Sequence, residues 1–578
     1  MRCVGFYIKY RNEKFIRLQN VLCHDLIVSE EGKMDTFFKK YQFWFKCWGV
    51  VWCILSVVFS LYIFSFFLGN HDWQFLRYEM LLSSGVWEGR VTQFVPPWLL
   101  SLGRLLPIWN ALLGFMFLSG AAVLLAWWYG LAEKSLPVVL FSLLVVLHPY
   151  VCSQLYYVHT FISIGCWHFL TVLGCMAAWQ FAENHKISYF IGSLLCLWSA
   201  LVGYAACIEL IIILMLFKLL FLLLCECVGR QCLYQWLRFS MVLIIAVLCY
   251  VYSIWFLQKA HIVNSMMYNT QSLGLSDIIR KFFINLAMPF RVLSDDFPYA
   301  DASMVCYYLF LVLIFNIFLW QTLDKKKCLA VGFIELAVLY GAFILAYVSP
   351  FNFFYIFRIH SYSVPYLVAL MFAFVILFAK RLYKNLALLV AVCLVCCYVA
   401  CDISVQKVWF LGNSQDDRAV ERIKSHLLPK MVKDKHYRLS TLGNFYGRKK
   451  FACMTFVAAD KAERYREYWG APHFITTFFS SGLFAYETSN PIWGDSIYMP
   501  NGFVFYATNN EILLGTQKIE AQLFAQHFKG DKSYFATQIR QLHPYPKEPY
   551  MLVEDKDIVL MLSDTAHKDV LIRNILEN

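Results

Sequence analysis

The chain has few charged residues for its length. Only 15% of its 578 residues are Asp, Glu, Lys or Arg, whereas 60% are hydrophobic; about 25% charged residues is typical of soluble domains. This shortage excludes a soluble globular protein as a description of the whole chain. The sequence also lacks the alternation of apolar and polar residues that marks transmembrane β-strands, which excludes a transmembrane β-barrel.

Other familiar signals are missing as well. No small-residue cleavage site precedes the first apolar run, so we expect an uncleaved first span rather than a signal peptide. The 20 cysteines form no disulfide framework, because most lie inside apolar runs, where they act as small apolar residues. The net charge of +12 does not indicate nucleic-acid binding, since much of it lies in short loops. No metal ligand set of common spacing is present.

Long apolar runs dominate the sequence. Each is close to the roughly 20 residues that a helix needs to cross a bilayer, and the fold class predicted is a polytopic α-helical membrane protein. The eleven predicted spans are 47–68, 107–129, 135–149, 157–179, 187–203, 205–225, 238–257, 303–321, 329–348, 363–380 and 385–402. Every even-numbered connection contains Lys or Arg, which places these connections and the N-terminus in the cytoplasm.

This topology divides the chain into three parts. Residues 1–46 are expected to form a cytoplasmic or interfacial segment, and residues 47–402 the transmembrane domain. Residues 403–578 are expected to form a soluble α/β domain, with an amphipathic helix at 416–427 and strands that include 502–507. Since the number of spans is odd, this domain and the long loops are expected to face outward.

The loop after the first span concentrates charged and aromatic residues. Asp72 follows the end of that span, where a partly desolvated carboxylate is suited to accept a proton; a hydrated interfacial acid is the alternative. Arg77 and Arg90 follow in a loop on the side where arginine is less common. Arginine binds phosphate oxygens through a bidentate fork and keeps its charge, so a lipid phosphate is the expected anion, with unspecific headgroup contact as the alternative.

Later outward segments add further candidates. Tyr156, Tyr157 and His159 lie at the start of the fourth span, where tyrosine hydroxyls can bind a sugar. Arg358 and His360 precede the tenth span, and an arginine this close to the bilayer needs an anion or water. Inside the sixth span, Glu209 is expected to face a cavity and Lys218 to extend toward the cytoplasm. Two adjacent acids, Asp295 and Asp296, could hold a divalent metal or cap a helix.

These residues resemble a known family, the multi-span, phage-type, serotype-converting O-antigen glucosyltransferases (Gtr type II), of the GT-C class. The likeness covers most of residues 47–425, and the sequence departs from the family pattern at His71, at Val158 and His159, and at Ala205. The matching positions are Asp72, Arg77, Trp87, Gly89, Arg90, Leu106, Pro107, Ile108, Pro149, Tyr156, Tyr157, Gly203, Tyr204, Arg358 and residues 417–423.

The resemblance implies a GT-C-like fold and a membrane glycosyltransferase. A polyprenyl-phosphate sugar would be the donor and a periplasmic lipid-linked saccharide the acceptor. Asp72 would be the general base of an inverting displacement, and Arg77, Arg90 and Arg358 would bind the departing lipid phosphate. No cofactor is expected, and no glycine-rich nucleotide loop is evident. The residues assigned to substrate binding are His71, Trp87, Tyr156, Tyr157, His159 and Tyr204.

Three other functions remain open from the sequence. An O-antigen polymerase or ligase would place key arginines in large outer loops of the later spans, which residues 258–302 allow. A lipid or saccharide flippase would show repeated halves and broken helices at the midplane, and no such repeat is evident. An envelope assembly scaffold would tolerate Asp72→Asn, whereas an enzyme would not.

Overall fold

The structure is a computed structural model of the chain, and it forms two compact units. Residues 1–63, 80–155 and 160–404 belong to the first, and residues 64–79, 156–159 and 405–578 to the second. The residues that the structure describes are 34–65, 85–86, 90–131, 135–225, 230–262, 275–284, 286, 302–322, 325–348, 357–430, 436–442, 485–490, 494–498, 504–509, 531–543, 547–554, 557–561, 572–573 and 576.

Helices make up nearly all of the described residues from 34 to 427, most of which belong to the first unit. In chain order they are α1 Met34–Val58, α2 Ser60–Phe64, α3 Val95–Ser101, α4 Pro107–Trp128, α5 Ser135–Val146, α6 Pro149–Cys152, α7 Val158–Asn184, α8 Ile187–Gly203, α9 Cys207–Leu224, α10 Arg230–Lys259, α11 Leu275–Ile284, α12 Ala302–Thr322, α13 Lys325–Gly341, α14 Ile344–Val348, α15 Phe357–His360, α16 Val364–Phe378 and α17 Arg381–Leu427.

Among the described residues, seven helices are long and apolar enough to cross a membrane, and shorter apolar helices occupy Ser135–Val146, Ile187–Gly203, Ala330–Gly341 and Val364–Phe378. The prediction of a polytopic helical membrane protein is therefore confirmed, while eleven crossings stay a prediction. Two helix bounds differ from expectation. The first helix begins at Met34, within the predicted N-terminal segment, and α17 continues without a break from the last apolar run to Leu427.

Close helix packing in the first unit depends on glycine. A Cβ atom at Gly165 of α7 would overlap the backbone oxygen of Gly114 in α4, and a Cβ atom at Gly114 would overlap the Phe161 ring. Small residues let backbones approach closely where two membrane helices cross. The Phe115 ring packs beside this crossing, 5.0 Å from the Phe161 ring and 5.1 Å from that of Phe59.

Lys218 does not extend toward the cytoplasm, so that expectation is wrong. The side chain is 2% exposed, and its ammonium group lies 4.3 Å from the Trp179 ring centroid and 4.9 Å from that of Trp128. The rings of Phe221 and Tyr129 lie 5.0 and 5.7 Å away. Aromatic faces attract a desolvated cation, so this aromatic cage holds the charge inside the helix bundle.

Lys218→Ala is expected to lower stability by about 2 kcal/mol, the value of a desolvated cation–π contact. The measurement is the midpoint of thermal unfolding of the protein in detergent, and the signal that reports unfolding is the loss of monodisperse protein. Lys259→Ala is the matched control, because Lys259 is exposed in the last turn of α10, and it should change stability by less than about 0.5 kcal/mol. Equal midpoints for the two variants would contradict a stabilising cage.

The second unit contains a six-stranded mixed sheet. Its strands are β1 His436–Leu442, β2 Ala485–Asn490, β3 Gly494–Tyr498, β4 Val504–Asn509, β5 Met551–Glu554 and β6 Asp557–Met561, in the order β2-β3-β4-β1-β6-β5. β1 runs parallel to both β4 and β6, and the other pairs are antiparallel. Helix α18, Lys532–Gln541, is preceded by the N-cap residue Asp531, whose carboxylate accepts hydrogen bonds from two backbone N–H groups of the first turn.

Candidate active site

The structure describes some of the predicted site residues and not others. The side chains of Arg90, Tyr157, His159 and Tyr204 are described. For Tyr156 and Arg358 only the backbone is described, in the turn Ser153–Tyr156 and in α15. His71, Asp72, Arg77 and Trp87 lie outside the described residues, as do Asp295 and Asp296.

Two of the predicted residues, Arg90 and Tyr204, are in contact. The guanidinium carbon of Arg90 lies 5.7 Å from the centroid of the Tyr204 ring, which is cation–π distance, and both side chains are half-buried. The Arg90 backbone N–H donates to the Gly85 carbonyl at 2.9 Å. A Cβ atom at Gly85 would come within 2.5 Å of the Arg90 carbonyl oxygen, so glycine is needed for this turn to close.

The position of Tyr204 follows from the tight joint between α8 and α9. Helix α8 ends at Gly203 and Tyr204 is extended. The Trp167 indole fills the place that a side chain at Gly203 would occupy, and it stacks on Tyr204 with 5.7 Å between centroids and 13° between planes. Thr92 donates a 2.7 Å hydrogen bond to the Ser199 carbonyl, which ties the Arg90 segment to α8.

The aromatic cluster continues into a buried turn at residues 360–363. The ring of Tyr362 lies 5.5 Å from Tyr204 and stacks on His168 at 3.9 Å, with 7° between the planes. The Nδ1 atom of His168 is hydrogen-bonded to the Tyr366 hydroxyl at 2.8 Å. Arg90, Tyr204, Trp167, Tyr362 and His168 therefore form one continuous cluster, with the half-buried Arg90 and Tyr204 at one end and the buried His168 at the other.

Glu209 lies beneath the same turn. Its carboxylate is 0% exposed, and both of its oxygens lie 3.2 Å from Nδ1 of His360. The Ser363 hydroxyl oxygen lies 2.9 Å from Oε2 and 2.6 Å from the Ala342 carbonyl oxygen. The Leu345 backbone N–H donates to Oε1 at 3.4 Å. Glu209 was expected to face a cavity, and it instead binds the turn that follows Arg358.

Sequence reasoning named Glu209 and His360 but missed their connection, and it missed Ser361, Tyr362 and Ser363. The available signal was the run of polar residues immediately before the tenth span, since buried polar groups need hydrogen-bond partners. Gln154 donates a 2.5 Å hydrogen bond to the Ser361 hydroxyl. The turn is thus held by side-chain bonds from two other segments.

The remaining predicted residues with described side chains, Tyr157 and His159, lie in the second unit. Their rings are 6.1 Å apart in an edge-to-face arrangement, and His159 is 4% exposed. Edge-to-face packing is a favourable geometry for aromatic pairs. This contact orders the chain at the start of α7.

The chemistry available in the first unit is specific. An arginine binds phosphoryl oxygens, and the half-buried ring of Tyr204 offers apolar surface on which the C–H face of a sugar ring stacks. Trp167 is 2% exposed and packs behind Tyr204. The buried carboxyl group of Glu209 adds a hydrogen-bonding group in a fixed position. Such ionisable groups inside a helical membrane bundle mark functional positions.

The apolar helices, with charged and aromatic groups buried between them, define a polytopic helical membrane protein. The family model of glucosyl transferase GtrII matches residues 61–360, and the chain belongs to that family. The match includes Arg90, Tyr204, Glu209 and His360, and it confirms the resemblance found in the sequence. The family is one of glucosyltransferases, which supports glycosyltransferase activity. A comparison with curated proteins found no match.

Proposed function

We propose that the protein transfers a sugar, glucose or another hexose, from a polyprenyl-phosphate donor to a periplasmic lipid-linked saccharide such as O-antigen. The observation that carries this proposal is the contact between Arg90 and Tyr204, within the segment that matches the glucosyltransferase family. It pairs a phosphate-binding cation with an aromatic face for a sugar. A sugar phosphate offers both of these groups one bond apart.

The reaction is a single inverting displacement. A hydroxyl oxygen of the acceptor attacks the anomeric carbon, the new C–O bond forms, and the bond to the phosphate oxygen breaks with its electron pair. Asp72 takes the hydroxyl proton as general base. Charge accumulates on the departing lipid phosphate, where arginines stabilise it most in the transition state; the residues assigned to it are Arg77, Arg90 and Arg358.

Sugar recognition is assigned to aromatic and polar side chains. Tyr204, backed by Trp167, supplies a rigid stacking surface because both rings are fixed by packing. The other residues proposed to bind the substrate are His71, Trp87, Tyr156, Tyr157 and His159. The donor brings its own activated phosphate, so no cofactor is required.

The proposed setting is the bacterial inner membrane. In the predicted topology of eleven spans, the N-terminus is cytoplasmic, and residues 403–578 and the loop with Asp72 and Arg90 are periplasmic. A lipid-borne donor reaches that side without a nucleotide sugar. The partners proposed are the polyprenyl-phosphate-linked sugar donor, the lipid-linked saccharide acceptor and the surrounding membrane lipid, with no nucleic acid.

Reconstitution tests this function. The purified protein in lipid nanodiscs is given a lipid-linked saccharide and either polyprenyl-phosphate hexose or the corresponding nucleotide sugar, and products are followed by mass and by anomeric linkage. We expect one added hexose, with inverted configuration, from the lipid donor alone. Transfer from the nucleotide sugar alone would contradict the proposed donor. In proteoliposomes, movement of the lipid saccharide across the bilayer without a new glycosidic bond would favour a flippase.

A further inference from the structure

The orientation of the His360 ring follows from its contact with Glu209. The Leu345 backbone N–H donates to Oε1 of Glu209, so this oxygen acts as an acceptor in either charge state of the carboxyl group. The same Oε1 atom lies 3.2 Å from Nδ1 of His360. An acceptor at 3.2 Å from Nδ1 of His360 means that Nδ1 carries the hydrogen. In a neutral imidazole the lone pair is then on Nε2.

The Nε2 atom of His360 has no hydrogen-bond partner among the residues that the structure describes. The side chain is 1% exposed, so water does not freely solvate this lone pair. A buried acceptor without a donor is destabilising, and such groups in native proteins usually meet a bound water or a ligand. His360 also lies two residues before Tyr362, which is part of the cluster that contains Arg90 and Tyr204.

We propose that Nε2 of His360 accepts a hydrogen bond from a sugar hydroxyl of the substrate, and that Glu209 is the positioning residue that holds His360 in this tautomer. The inference rests on the proposed function and adds a binding residue to it. A lone pair cannot bind a phosphate oxygen, which is itself an acceptor, so the complementary group is a hydroxyl. Phosphate recognition belongs to the arginines and hydroxyl recognition to His360.

Two substitutions test the roles of the two ring nitrogens of His360 separately. In His360→Asn, the amide nitrogen can replace Nδ1 and still donate to Glu209, but no atom reaches the place of Nε2. In Glu209→Gln, the side chain keeps its size, but its amide can donate to Nδ1 and move the ring hydrogen to Nε2, which turns the acceptor into a donor. We expect each variant to lose at least about tenfold in kcat/KM, as for a lost buried hydrogen bond.

The assay uses the purified full chain with polyprenyl-phosphate hexose and the lipid-linked saccharide, each varied at a fixed concentration of the other. A rise in the donor KM places the hydroxyl on the transferred sugar, and a rise in the acceptor KM places it on the acceptor. His185→Asn is the matched control, because His185 is exposed beyond the end of α7 and has a positive φ of 57°, which asparagine tolerates. It should leave both KM values unchanged.

A rescue variant separates substrate binding from folding. In His360→Gln the amide oxygen can reach the place of Nε2 and accept the same hydroxyl, so His360→Gln should be more active than His360→Asn at equal amounts of monodisperse protein. Equal activity of the two variants, or wild-type kinetics for His360→Asn, would overturn the inference while the proposed function stands. An inactive wild type with the lipid donor would overturn both.

Discussion

Asp72→Asn is expected to lower the turnover number of sugar transfer by about 10²- to 10⁴-fold, the usual contribution of a general base. Asparagine has nearly the shape of aspartate but cannot accept the proton of the attacking hydroxyl. The KM values should change little, because the side chain acts mainly in the transition state. The measurement is the initial rate with saturating donor and acceptor, together with the mass of surface polysaccharide from cells that carry each variant.

Asp277→Asn provides the matched control for this experiment. Asp277 lies in the first turn of α11, in another segment predicted to face outward, and it is half-buried. Its substitution should leave the turnover number within about twofold, since a surface change of this kind alters stability by only about 0.5 kcal/mol. Normal polysaccharide from cells with Asp72→Asn would contradict the mechanism and favour a transporter or a scaffold.

Gly165→Ala is expected to cause a large loss of folded protein. The added Cβ would overlap the backbone oxygen of Gly114 and lie 3.1–3.2 Å from its carbonyl carbon and Cα atom. Backbone atoms of a packed helix cannot rotate away as a side chain can, so α4 and α7 must separate. Overpacking of this kind costs about 1–3 kcal/mol or more.

Two other glycines supply the comparison. A Cβ atom at Gly192 or at Gly332 would meet no other atom within 4 Å, and alanine is about 1 kcal/mol better than glycine inside a helix. Gly192→Ala and Gly332→Ala should therefore keep or raise the midpoint of thermal unfolding, whereas Gly165→Ala should lower it and reduce the yield of monodisperse protein. A midpoint for Gly165→Ala at or above that of the wild type would show that the crossing has room to adjust.

The sequence predicted the class of fold well and the individual contacts poorly. Apolar helices lie where the hydropathy of the chain indicated spans, because crossing a bilayer requires a length of apolar residues that can be counted locally. Bounds were less accurate where a helix continues into polar sequence, as α17 does beyond the last apolar run. Hydropathy marks where a helix leaves the hydrocarbon and does not mark where the helix ends.

The same difference holds for the candidate site, where the sequence predicted residues but not the contacts between them. Arg90, Glu209 and His360 could each be named from residue type and position in or near a span, and Tyr204 could be named from the family resemblance. Their contacts could not be predicted, because Arg90 meets Tyr204 only where the chain turns sharply between α8 and α9. Trp167 fits at this turn only because Gly203 has no side chain.

The prediction for Lys218 failed for a related reason. A long side chain is expected to extend to water unless neighbours bind it, and its four aromatic neighbours come from three separate helical segments.

The sequence by itself determined that the chain is a helical membrane protein of the glucosyl transferase GtrII family, since apolar length and short motifs are properties of neighbouring residues. Only the tertiary structure decided which polar groups face each other. The bond of Glu209 to His360 joins helix α9 to a turn far along the chain. It forms because packing buries both groups, and a buried carboxylate must find hydrogen-bond donors wherever the fold brings them.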